Sequence, residues 1–322
     1  MANNSNSSFV ADLSSQITLY SPIIIIIMGN IGCILNFMTF TSRKLIRTSY
    51  SLYCLSSTVF DLLTLDFGAL TRLLIDHFGY NIQNYSQVYC KIRFYLINTF
   101  PTSSTCFIVL AAMDRYLSTS SKLKYRSFAT RKRAICLILI SLFICILFYA
   151  HYLVFADLRP TCSIQPGIYS LFTVIYSLVV TSFIPHFLML YFGFGTLYHI
   201  RTARHRTVAV FNTQQNRRQR TEIQLVTMTL FQVTISTILI GARMAYYSYN
   251  VITANAVKTS DQKTLDTFFS ELTTQLFYLN YAKSFYIYTL SSRVFRRILI
   301  VRVTQLSQRC FCQQSRHHVT RT

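Results

Sequence analysis

The chain has 322 residues, of which 52% are hydrophobic and only 13% charged, yet Lys and Arg outnumber Asp and Glu by 31 to 10. A soluble chain would carry about a quarter charged residues, and the mean hydropathy of +0.37 points to a protein whose main solvent is lipid. With 8 Gly and 5 Pro, collagen-like and low-complexity readings fall away.

The N-terminal MANNSNSSFVADLSSQ is polar and lacks Lys and Arg. It therefore lacks the positive start of a cleaved signal peptide, and the first apolar run is expected to target the chain. A helix needs roughly 20 mostly apolar residues to cross a hydrocarbon core about 30 Å thick. Seven stretches qualify, at about 17–40, 51–75, 92–117, 134–156, 168–199, 223–249 and 267–290 (spans 1 to 7). Runs such as PIIIIIM (22–28) and AICLILISLFICILF (134–148) leave no room for the polar stripe of a soluble helix. The short alternating segments of a β-barrel are missing too. Spans 3, 6 and 7 are less uniform, as suits helices facing a polar bundle interior. The expected fold is all-α: an extracellular tail over 1–16, a seven-transmembrane helix bundle over 17–290, and a cytoplasmic basic tail over 291–322.

Charge orients the bundle. With the N-terminus outside, the inner segments 41–50, 115–133, 200–222 and 291–322 hold 23 of the 31 Lys and Arg, and the only acids assigned to that side are Glu222 and Asp114, which adjoins the second segment. The whole net charge of +21 then lies on the cytoplasmic side, as the positive-inside rule requires. These charges sit in short loops beside spans, which argues against nucleic acid as the partner. Glycosylation sequons at Asn3, Asn6 and Asn84 share the outer side. Of nine cysteines, only Cys90 and Cys162 face an oxidising compartment. They are expected to form a disulfide across the mouth of the bundle, the alternative being two free thiols. No Cys/His cluster with metal spacing occurs, and the seven His form no catalytic triad, so neither a metal site nor an enzyme is expected.

Span 3 ends in IVLAAMDRYL (108–117), an apolar run closed by adjacent opposite charges. Together with seven spans and an outer cysteine, MDRY resembles the rhodopsin-like (class A) G protein-coupled receptors, over roughly residues 20–300. Cys90 precedes Arg115 by 25 residues and Thr48 precedes Asp61 by 13, both spacings of that family. Pro185 matches its span 5 proline. NYAKSFYIYTLSSRVFRR (280–297) looks like its N-x-x-x-N-P-x-x-Y followed by a short amphipathic helix, with Cys310 and Cys312 as palmitoylation candidates beyond. The resemblance implies that Asp114 holds Arg115 at rest, that Glu222 is a second partner for Arg115, and that Tyr116 and Tyr288 belong to the same switch. Release of Arg115 would let it meet a heterotrimeric G protein. The resemblance also implies a sodium ion at Asp61, an intramembrane acid, with Ser104 and Asn280 at matching positions and Ser284 replacing the second Asn.

Departures from the family pattern are equally plain. The chain has no Trp. Span 6 lacks its proline and offers Gly241 where a kink would be wanted. Ser284-Phe285 stands for Asn-Pro, Cys33 for the span 1 Asn, and Gly193 for the span 5 tyrosine. Lys283 is a cation within span 7, expensive unless paired or snorkelling. It is expected either to pair with Asp61 in place of sodium or to point toward the headgroups.

Ligand identity is weakly encoded. Amine receptors of the family carry an Asp where Ile97 stands, and opsins carry the retinal lysine where Tyr278 stands, so both readings are disfavoured. Arg72, Arg93 and Arg243 could meet an anionic group or a peptide carboxylate. Asp76, Asp266 and Glu271 could instead receive a basic peptide. A peptide ligand at a multi-pass plasma-membrane receptor is the favoured reading. Its rivals are a scaffold or decoy receptor that no longer couples and, with less support, a seven-helix transporter, which would want a midplane relay and internal repeats.

Overall fold

The computed structural model describes the backbone of residues 2–43, 45–80, 82–158, 162–165, 167–207, 213–253 and 256–319. Side chains of 2–11, 203–207, 213–222, 225, 306–307 and 309–319 lie outside that description, which takes in Asn3, Asn6, Glu222, Cys310 and Cys312. Span 1 is α1 (Ala2–Phe40); its helix begins well before residue 17, so the expected tail is its first turns. Span 2 runs through α2 (Ser49–Leu63), a π-helical turn (Thr64–Ala69) and α3 (Leu70–Phe78). Span 3 is α4 (Gln87–Thr119) and is followed by the short α5 (Leu123–Arg126). Span 4 comprises α6 (Arg131–Tyr149) and α7 (His151–Phe155). Strands β1 (Ala156–Leu158) and β2 (Cys162–Ile164) form an antiparallel hairpin with Asp157 opposite Ser163.

Span 5 is α8 (Ile168–Tyr176), a second π-helical turn (Ser177–Phe183) and α9 (Ile184–Thr207). The wide turn lies just before Pro185, which cannot donate to the carbonyl four residues back. Span 6 is α10 (Thr213–Ile252), unbroken over 40 residues. Span 7 is α11 (Ser260–Ala282) and α12 (Ser284–Ser291), interrupted at Lys283. The expected short amphipathic helix is α13 (Arg293–Val319), in fact 27 residues long. Arg302 Nη2 donates to the Thr41 carbonyl at 2.8 Å and ties α13 to the first inner loop.

The helices close into a ring. α1 packs against both α2 and α11, α11 against α10, α10 against α9, and α4 lies among α2, α6, α9 and α10. Burial follows from this order: the most apolar window of span 3 is 56% buried, that of span 4 only 17%. Leu139, Phe143 and Leu147 of α6 accordingly face outward. Among the described residues five segments are long and apolar enough to span a membrane on their own. Spans 2 and 7 are more polar because they carry Asp61, Asp66, Arg72, Glu271 and Lys283. Cys90 and Cys162 are joined, with Cα atoms 5.7 Å apart, which pins the hairpin to the head of α4. Asn84 supports the join, since its Oδ1 accepts from the Cys162 N–H at 3.1 Å. Among the described residues the remaining cysteines are free.

Hydroxyls knit the middle of the ring. The Tyr149 hydroxyl lies 2.8 Å from Thr102 Oγ1 and 2.8 Å from Thr181 Oγ1, joining spans 3, 4 and 5. Gly193 faces α10 so closely that a Cβ there would collide with Leu230, so the missing span 5 tyrosine brings spans 5 and 6 together. Gly241 is different: nothing lies within 4 Å of a Cβ built there, and the helix continues through it. The helix is unbroken at Gly241, as expected where no proline removes a backbone donor. Gly241→Ala should therefore stabilise the protein by about 0.5–1 kcal/mol through helix propensity. Thermal unfolding of the purified variant checks this, and a lower midpoint would count against an open, regular helical site at Gly241.

Candidate functional site

Polar groups gather at three levels along the bundle. At the outer end a cavity of about 280 Å³ is bounded by spans 2 to 7 and by Ile164 of the hairpin. Arg72, Arg93 and Arg243 all line it, together with Ile97 and Tyr278. Gly68, in the first π-helical turn, makes room for Tyr278, whose ring would lie 3.1 Å from a Cβ at that position. Turns of this kind recur at functional sites.

The acids that could have received a basic ligand are engaged elsewhere. Arg72 Nη2 donates to Glu271 Oε1 at 2.7 Å, and its Nε lies 3.2 Å from Asp76. Asp266 Oδ2 accepts from Lys258 Nζ at 2.6 Å. Glu271 is thus a partner of Arg72, outside the cavity lining. Arg93 Nε donates to Thr71 Oγ1 at 3.4 Å, and the Arg243 guanidinium lies 5.9 Å from the centre of the Tyr247 ring. Among the described residues no carboxylate lines the cavity or stands within ion-pair distance of Arg93 or Arg243. The wall is cationic, in a setting where charge is weakly screened.

The middle level is a cavity of about 20 Å³ lined by Asp61, Ser104, Ser236, Asn280 and Lys283 among others. Ser104 Oγ donates to Asp61 Oδ1 at 2.5 Å and Ser284 Oγ to Oδ2 at 3.2 Å, while Ser57 and Ser104 lie 2.9 Å apart. Lys283 is buried, and its Nζ donates to Ser236 Oγ at 2.8 Å, the Asn280 carbonyl at 2.7 Å and Asn280 Oδ1 at 2.5 Å. Neither arrangement expected from the sequence is formed. Lys283 does not reach the headgroups, because it turns inward at the break in span 7. Nor does it pair directly with Asp61, because Asn280, one turn back, and Ser236 across the gap take all three of its protons.

At the inner rim Arg115 Nη2 donates to Asp114 Oδ2 at 2.6 Å, with both residues buried. The guanidinium also lies over the ring of Tyr50, 5.1 Å from its centre, a favourable cation–π placement. Tyr50 lies in the first turn of α2, and its hydroxyl is 3.3 Å from Thr229 Oγ1 on α10. Tyr116 stacks on His199 with ring centres 4.8 Å apart. It fits only because Gly195 has no side chain: a Cβ there would lie 2.7 Å from the ring. Tyr288 packs edge-on against Phe40, 5.7 Å away, in the inner aromatic core. The backbone of Glu222 belongs to α10, but its side chain lies outside the described residues.

Tyr50, Ser236 and Gly195 had no signal in the sequence, since each matters through a neighbour on another helix. Asp66 could have been found as a second intramembrane acid. It is exposed on the outer face of span 2 and accepts from Asn30 Nδ2 at 2.8 Å.

A family model described as 7 transmembrane receptor (rhodopsin family) matches residues 29–283. No curated protein matches the chain. The matched segment takes in Asp61, the Cys90–Cys162 disulfide and Asp114–Tyr116, and it stops at Lys283, where span 7 breaks.

The two donors to Asp61 differ in length and should differ in weight. Ser104→Ala should cost about 2 kcal/mol of stability and Ser284→Ala about 1 kcal/mol, as expected for donors to a buried carboxyl group. Thermal unfolding of both variants gives the order, and a reversal would show that Ser284 is the principal support.

Proposed function

Because the chain belongs to the rhodopsin family of seven-transmembrane receptors, we propose that it takes an extracellular ligand into the outer cavity and signals to a heterotrimeric G protein through Arg115. The carrying observation is the cationic lining of that cavity. Arg93 and Arg243 face it without an acidic partner among the described residues, while Arg72 is held by Glu271. A ligand bearing a carboxylate would supply the missing counter-charge, and guanidinium groups bind planar carboxylates in two-point fashion. We favour a peptide whose anionic end enters the bundle, since about 280 Å³ is at the small end of ligand sites and suits a terminal residue better than a whole peptide. The plasma membrane is the site where such a ligand would be met.

On the inner side, Asp114 and the Tyr50 ring hold Arg115, and the Tyr50 hydroxyl reaches Thr229 on span 6. Outward movement of span 6 would separate Tyr50 from Thr229 and open the rim around Arg115. The unbroken α10 favours movement as a rigid rod. The same continuity also supports a second reading, a scaffold receptor that binds ligand without coupling, since the usual proline hinge is missing.

A G protein activation assay in cells against a peptide library separates the two. Signalling that is lost in Arg115→Ala, at matched surface expression, supports coupling; binding without signalling in the unaltered chain supports the scaffold. For an anionic peptide, Arg243→Ala should raise the half-maximal concentration by roughly 10- to 100-fold, the weight of a charge-assisted contact of about 1.5–3 kcal/mol. An unchanged value would remove Arg243 from the site.

A further inference from the structure

Three hydrogen bonds on one ammonium, inside a bilayer, call for a physical reason. Lys283 is 8% exposed and Asp61 4%, and both line the same cavity of about 20 Å³, a volume close to that of one water molecule. An ammonium has three donors and no acceptor. Here it meets three oxygens, Ser236 Oγ on span 6 and the carbonyl and Oδ1 of Asn280 on span 7. The match in number satisfies the cation fully without a direct contact to Asp61.

We propose that the Lys283 ammonium is the resident cation of the central cavity, standing where a sodium ion would otherwise balance Asp61, so that this receptor has no sodium site. Oxygens a metal ion would need already accept hydrogen bonds. Hard cations gather about six oxygen ligands. In this cavity Asn280 Oδ1 and Ser236 Oγ accept from Lys283, and both Asp61 oxygens accept from serines. A second positive charge beside the ammonium would also be repelled strongly where the dielectric is low.

The same contact accounts for the break in span 7. α11 stops at Ala282 and α12 starts at Ser284, with no proline between them. In a regular helix the Asn280 carbonyl would accept from the N–H four residues on; here it accepts from Lys283 Nζ. A side chain inserted into the backbone ladder is a recognised cause of a kink. Lys283 therefore serves two needs at once, charge balance for Asp61 and interruption of the helix. Its bond to Ser236 also fastens span 7 to span 6.

The test is thermal unfolding of the purified full chain in sodium chloride and in choline chloride at equal ionic strength. It uses neither ligand nor G protein, so its outcome is separate from that of the signalling proposal. The unaltered protein should show the same midpoint in both salts, and so should Ser236→Ala, which keeps the cation. Lys283→Met should gain a saturable stabilisation by sodium that choline does not give. Saturable sodium stabilisation of the unaltered protein would overturn the proposal, as would a folded Lys283→Met that ignores sodium. Should Lys283→Met not fold, the charge pairing decides. Asp61→Asn combined with Lys283→Met should recover folded yield, because both charges are removed together; failure to recover it would overturn the proposal as well.

Discussion

Hydrocarbon offers no hydrogen-bond partner, so every polar group in these spans must be met within the bundle. The rest of the structure depends on that constraint. Hydroxyl-bearing residues meet it locally by donating to the carbonyl four residues back. Thr58 donates to Cys54, Thr99 to Tyr95, Ser103 to Thr99, Thr105 to Pro101 and Thr274 to Ser270. Such residues cost a span little and leave it free to pack. Groups that cannot turn back onto their own helix must find partners across the bundle, and those partnerships set which helices touch and where. Asp61 is the clearest case, drawing Ser104 from span 3 and Ser284 from span 7 to one point.

Span 6 is the element these crossings hold most directly. Ser236 is fastened to span 7 through Lys283, and Thr229 to span 2 through Tyr50. Between them Gly193 allows Leu230 to approach span 5. Arg243 stands on the same helix at the outer cavity. A helix rises about 1.5 Å per residue, so the 14 residues between Thr229 and Arg243 span about 21 Å. In the proposed mechanism a ligand pulling on Arg243 works against hydrogen bonds near the inner half, those of Ser236, Thr229 and Gln224, whose Oε1 accepts from the Val294 N–H at 3.2 Å. Each contributes on the order of 1 kcal/mol, within the few kcal/mol that separate states of a switchable protein.

Much of this was legible beforehand. Hydropathy located the spans, and the Cys90-to-Arg115 spacing identified the third span and its charged end. Ser104 and Ser284 stand beside Asp61, and Arg72, Arg93 and Arg243 meet around one cavity. Gly241 interrupts nothing, since the lack of a proline meant no donor was missing and α10 runs on unbroken. Lys283 misled. Opposite charges on neighbouring spans suggested a direct pair, but an ammonium on a flexible stem goes to the nearest set of acceptors, which here includes a carbonyl one turn back.

By itself the sequence determined the number and order of the membrane helices. Those properties follow from transfer free energies that act residue by residue, whatever the neighbours are. Tertiary structure decided the partners. Arg72 is held by Glu271, 199 positions away, and Lys283 by Ser236, 47 positions away. Such distances in sequence become contacts only when the helices settle at particular rotations and depths, and those are set by packing and hydrogen bonding across the whole ring.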